Sequence, residues 1–88
     1  MLRIRRSEAN GELVFTLSGR MNEEDVAALE ALIKSEATGR RMILDLKDVT
    51  LVGRDAISFL ERCEADGMTL KNCARYVREL ITRQRRGS

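Results

Sequence analysis

Residues 45–58 gather the side chains most able to do chemistry. Asp45 and Asp48 bracket Lys47; Thr50, Gly53, Arg54, Asp55 and Ser58 follow. Paired carboxylates can hold a hard cation, but two with no further ligand make a weak site, so capping of the local backbone is their expected role. Thr50 is suited to hydrogen bonding within its own turn. Catalysis needs more than these groups. The chain has no His, no Gly-rich phosphate loop, and no hydroxyl or thiol with a base placed beside it. Neither enzyme activity nor a cofactor is expected. Cys63 and Cys73 supply at most half a zinc site, so no metal is expected and both thiols should be free. Cys63 fits a packed helix position and Cys73 a helix entrance.

The elements that must position these groups follow from hydrophobic period and turn residues. Leu2 and Ile4 alternate with arginines and predict a short edge strand. Asn10-Gly11 is a hairpin signal, within a loop over 7–11 slightly longer than the tightest hairpin. Leu13, Phe15 and Leu17 alternate against Glu12, Thr16 and Ser18, so the first two strands form an antiparallel hairpin over 2–18, and 19–21 break the pattern. Asn22 is an N-cap residue, and Glu23, Glu24 and Asp25 crowd the first turn, where the helix dipole favours negative charge. Val26, Leu29, Leu32 and Ile33 recur at helical spacing, with an end expected near Ala37 and Gly39 as the stop.

The third strand, 42–46, is apolar on both faces, as in a strand covered from both sides or set deep in a sheet. A connection over 49–53 leads to a second helix at about 54–65, with Ile57, Phe59, Leu60 and Cys63 on its stripe and Asp66-Gly67 as its end. A short strand at 68–70 follows. Asn72 or Cys73 then caps a last helix whose inner face is Ala74, Val77, Leu80 and Ile81. The basic stretch 83–88 is expected to fray. The order β-β-α-β-α-β-α predicts one α/β domain over 1–88. Its four-stranded mixed sheet has an antiparallel hairpin at one edge and parallel strands joined by helical crossovers.

The run Asp45-Leu46-x-x-Val49-Thr50, with the turn after it, resembles the STAS domain of bacterial anti-sigma factor antagonists. That family carries Asp-Leu-x-x-Val-x-x-x-Asp-Ser-Ser-Gly across a strand end and a helix start. Here Gly53, Arg54, Asp55 and Ala56 stand in place of Asp-Ser-Ser-Gly. The resemblance covers about 13–81 and implies a STAS-like fold. It also implies a non-catalytic interaction domain in transcription regulation, with an anti-sigma factor or related ATP-binding kinase as partner. In the family the second serine is phosphorylated. Asp55 holds that position and cannot form a stable phosphate ester, so ordinary serine phosphorylation is not expected. Its single charge compares with about −1.5 to −2 on a phosphoserine. The partner surface so implied is Val52, Gly53, Arg54, Asp55 and Ser58, the last a candidate displaced phosphosite one helical turn on.

Bulk composition bounds the rest. With 88 residues there is room for one core, and 3% aromatic content makes that core aliphatic. A net charge of +2 does not single out nucleic acid as a partner. The one charge cluster is Arg75, Arg78, Arg83, Arg85 and Arg86. With Arg75, Arg78 and Arg85 along one side of the last helix, it reads as a solvated face. It also leaves open a small nucleic-acid-associated protein using that helix, or a module that self-associates as a homodimer. No run approaches a membrane span and no apolar leader opens the sequence, so a cytoplasmic location is expected.

Overall fold

The computed structural model describes residues 2–36 and 39–87. In chain order the elements are β1 (Leu2–Ala9), β2 (Glu12–Met21), α1 (Glu23–Ser35), β3 (Met42–Val52), α2 (Arg54–Ala65), β4 (Thr69–Lys71) and α3 (Arg75–Arg86). One four-stranded sheet has the spatial order β1-β2-β3-β4. β1 and β2 are antiparallel, while β2–β3 and β3–β4 are parallel, as the alternation of strands and helices predicted.

The hairpin is tighter than its sequence suggested. Ala9 pairs with Glu12, leaving only Asn10 and Gly11 in the turn, at φ +54° and +78°. Two positive φ values in a two-residue loop define the turn whose twist matches that of the strands, and Asn-Gly meets that demand. Residues 19–21 do not break β2. Gly19, at φ +97°, sits where the β2–β3 register shifts, and the strand continues through a bulge to Met21. Because β2 runs on, β3 has a partner along its whole length, up to Met21 opposite Val52. The expected connection at 49–53 is therefore mostly strand. Asp45, Lys47, Asp48 and Thr50 lie within β3, not at its end.

All three helices are where the periodicity placed them; α2 has its expected bounds, and the other two differ at one or both ends. Asn22 caps α1 reciprocally: its side chain accepts from the Asp25 amide, and its own amide donates to the Asp25 carboxylate, both at 3.2 Å. α1 stops at Ser35, short of the expected Ala37, which lies outside the described residues. β4 starts one residue later than expected. α3 begins after Ala74, which offers no side-chain cap and is exposed, not on the inner face. Asn72 adopts φ +57° and caps nothing. Residues 83–86 are the last turn of α3, not a frayed tail; Ser88 lies outside the described residues.

Every buried strand residue lies on one face: Leu13, Phe15, Leu17 and Met21 on β2, Leu44 and Leu46 on β3. Against them pack Val26 and Leu29 of α1, Ala56, Ile57, Phe59, Leu60 and Cys63 of α2, and Val77 and Ile81 of α3. The opposite face is open, so β3 is not covered from both sides. Ile43 is only half-buried there and stands beside Val14, its register partner. A cross-strand apolar pair explains the second apolar face of β3 without a second helix layer.

α3 carries more charge than apolar surface, and ion pairs help seat it. The Glu64 carboxylate accepts from Arg78 at 2.8 Å and from Arg85 at 2.9 Å, and Arg85 also reaches Glu61 at 3.4 Å. Arg78 and Arg85 therefore bridge α3 to α2, whereas Arg75 is exposed and, among the described residues, pairs only with Glu79 of its own helix. The hydrogen bond from Arg78 holds the Glu64 carboxyl below the ordinary value of 4.5. A depressed acid contributes stability that is whole above the unfolded-chain value and is lost as pH falls through the folded one. The half-exposed pairs limit the contribution to about 1 kcal/mol or less. Thermal melts should show wild type losing stability more steeply than Glu64→Gln below about pH 4.5. Parallel pH profiles for the two proteins would exclude this contribution.

Candidate functional site

The junction between β3 and α2 is built from both sides. The Gly53 amide donates to the Met21 carbonyl at 3.3 Å, tying the start of α2 to the end of β2. The Gly53 carbonyl accepts from Ile57, closing the first helical turn. Ala56 and Ile57 are buried and anchor that turn on the core, which directs Arg54 and Asp55 to solvent. Gly53 has φ −80° and ψ 176°, a conformation open to any residue. A Cβ there would meet only the Met21 carbonyl oxygen, at 3.9 Å. No side chain caps α2, so its leading amides face outward with the positive end of the helix dipole.

Val52, Gly53, Arg54 and Asp55 thus form one exposed corner. Asp55 is in the first turn, where its carboxylate meets the helix dipole, and among the described residues neither its side chain nor that of Arg54 makes a hydrogen bond or ion pair. Ser58 is half-buried one turn on, in a groove between α1 and α2 that also holds Glu23, Val26 and Asp55. A second groove lies on the other side of α2, floored by Val52, Ile57 and Leu80 and edged by Arg54, Arg83 and Gln84. α3 was not part of the site read from sequence. The signal for it was present: Leu80 and Gln84 stand four residues apart, so the helical spacing carries on into the stretch expected to fray.

The other candidates lie apart from this corner. Asp45 accepts from the Lys47 amide at 3.1 Å and from the Asn72 side chain at 3.0 Å. Burial raises its carboxyl, but these hydrogen bonds, with Lys71 and Lys47 nearby, outweigh it and leave the net shift downward. Asp45 therefore tethers the β4–α3 loop to β3, and Asn72 serves that tether instead of capping α3. Asp48 is exposed on the open sheet face beside Thr16 and Ser18. Among the described residues, no three His, Cys, Asp or Glu side chains converge as metal ligands.

Both cysteines are free. Burial pushes the Cys63 thiol up to about 12 and raises Cys73 less strongly. The thiolate is the reactive form, so neither is an activated nucleophile. Under native conditions at pH 8, Cys63 should resist alkylation by iodoacetamide and Cys73 should react first and slowly. Mass spectrometry of the modified peptides checks the order, and rapid labelling of Cys63 would contradict its burial.

Among the described residues, no helix is long and apolar enough to cross a membrane. No protein-family model matches the chain, and no curated protein matches it. Solved structures do. The crystal structure of Mglu superposes with a TM-score of 0.61 at 18% identity, over 76% of this chain and 18% of Mglu. An uncharacterized protein of the DUF3478 family from Shewanella loihica PV-4, with a SpoIIAA-like fold, gives a TM-score of 0.57 at 16% identity. That match covers 75% of this chain and 57% of the Shewanella protein. The chain thus spans under two thirds of either neighbour. At these identities the likeness is one of fold, and the fold is SpoIIAA-like, the STAS-like architecture expected from the 45–56 motif.

Proposed function

We propose that this chain is a non-catalytic protein-interaction domain that docks a regulatory partner through Val52, Gly53, Arg54, Asp55 and Ser58. By the resemblance at 45–56, the partner class is an anti-sigma factor or a related ATP-binding kinase, in a bacterial partner-switching circuit. The observation that carries the proposal is the exposed α2 start: an uncapped helix end with an unpaired arginine and carboxylate side by side. Asp55 stands where the family has its phosphorylated serine, so a fixed carboxylate sets the charge of the docking surface in place of a reversible phosphate.

Ion pairing of α3 to α2 supports a protein partner over nucleic acid. Arg78 and Arg85 are held by Glu61 and Glu64, so the arginine helix does not present one continuous cationic face.

Affinity capture comparing wild type with Asp55→Ser, followed by mass spectrometry, tests the proposal. The expected result is recovery of an ATP-binding regulatory protein whose affinity shifts by roughly tenfold on substitution, the effect of a central interface charge. Equal capture by the two proteins removes Asp55 from the docking surface. Capture of nucleic acid in its place rejects the partner class.

A further inference from the structure

We infer that the α2 face bearing this corner is self-complementary and associates with a second copy of the chain. Seven of the thirteen arginines, Arg6, Arg40, Arg41, Arg62, Arg75, Arg78 and Arg85, meet carboxylates within the fold. Among the described residues the other six, Arg3, Arg5, Arg20, Arg54, Arg83 and Arg86, make no such pair, and three of them, Arg54, Arg83 and Arg86, lie at the α2 start or the α3 end. Arg54 and Arg83 edge the groove floored by Val52, Ile57 and Leu80. A fitting occupant carries carboxylates beside a modest apolar surface.

The same chain presents that chemistry on the other flank of α2. The groove there has Val26 and Ala27 on its floor and Glu23 and Asp55 on its rim. Neither acid makes an ion pair among the described residues. The two grooves share Gln84 and are separated by the start of α2, so they belong to one surface of opposite charge on its two sides. A two-fold axis running along α2 in the plane of contact exchanges those sides. It sets Arg54 and Arg83 of one copy against Asp55 and Glu23 of the other, and does so twice, as an isologous interface requires. The apolar floors give each contact surface to bury. The dimer would cover the residues proposed above for the partner; that competition alone rests on the proposed function, whereas self-association does not.

Sedimentation equilibrium on purified wild-type protein, with no partner present, tests the inference. The expected mass is about twice the 10.0 kDa monomer at low salt. It should fall to the monomer near 1 M salt, where charges are screened beyond about 3 Å. The pair Arg54→Glu with Arg83→Glu should be monomeric at low salt, as should Glu23→Arg with Asp55→Arg. An equal mixture of the two variants should regain the dimer mass, since both contacts again join opposite charges. Circular dichroism confirms that each variant is folded. A wild-type monomer at low salt, a dimer of either double variant by itself, or a mixture that stays monomeric each overturns the interface. None of these results bears on capture of an ATP-binding protein, so the two proposals fail separately.

Discussion

Phe15→Ala is expected to lower unfolding free energy by about 3–5 kcal/mol. Phe15 is fully buried and is the largest of the fully buried side chains. It lies on β2, which has a neighbouring strand on each side. The chain holds only two phenylalanines and one tyrosine, and Tyr76 is 47% exposed, so no large ring stands ready to fill the space. The truncation therefore removes buried apolar area and leaves a cavity lined by branched aliphatics that relax only in part. A domain of this size has roughly 5–10 kcal/mol in total, so the variant stands near the limit of folding. Urea titration should move the midpoint down by roughly 2 M at an unchanged slope. Leu51→Ala makes the control: Leu51 is 59% exposed, and its loss should stay within about 0.5 kcal/mol. Equal effects from the two substitutions would contradict the assignment of the β2 core face.

The second large effect is expected at Ile81. This residue is fully buried, and α3 seats on α2 through it, Val77 and the partly buried Leu80. Ile81→Ala should cost about 2–5 kcal/mol. Unlike the loss at Phe15, it should act locally. The remaining ties of α3 to α2 are the half-exposed arginine pairs to Glu61 and Glu64, which add little, and the helix start has no side-chain cap. Hydrogen exchange should show amides of 75–86 losing protection while those of β2 and β3 keep theirs, the pattern of one cooperative unit opening before the rest. Uniform loss across the chain would show that α3 folds as one unit with the sheet. Undocking also removes Arg83 and Gln84 from the groove beside Arg54. The substitution thus separates what α3 adds to the proposed docking surface from what the α2 start supplies alone.

Both proposals turn on the same structural fact: the first turn of α2 is pinned from beneath by Ala56 and Ile57 and left uncapped above. Gly53→Asp introduces the acid that the motif it resembles carries at the matching position, and the space for its Cβ is open. An added N-cap carboxylate would occupy the amides that now face outward. The corner as it stands instead offers donors, one cation and one carboxylate within three residues. That mixture suits recognition of a polar protein surface.

Much of this arrangement was legible in the chain itself. Period-two and helical spacing of Leu, Ile, Val and Phe fixed seven elements in order, because which side of an element is apolar is a local property of the sequence. Asn22 announced its helix for the same reason: a cap bonds amides only three residues away. The 45–56 motif named the fold, and Ala56, Ile57 and their neighbours placed Arg54 and Asp55 at a helix start. The tertiary structure decided what depends on partners distant in sequence. β3 continues to Val52 only because β2 passes Gly19 with a bulge and lies beside it. Asn72 bonds Asp45 across 27 positions and so does not cap α3. Arg78 and Arg85 are paired although half-exposed, because Glu64 and Glu61 come to face them when the helices pack. Arg83 lines the same groove as Arg54 because that packing carries the α3 end to the α2 start. Charge pairing and strand pairing are both settled by which surfaces meet, and a linear pattern carries no record of that meeting.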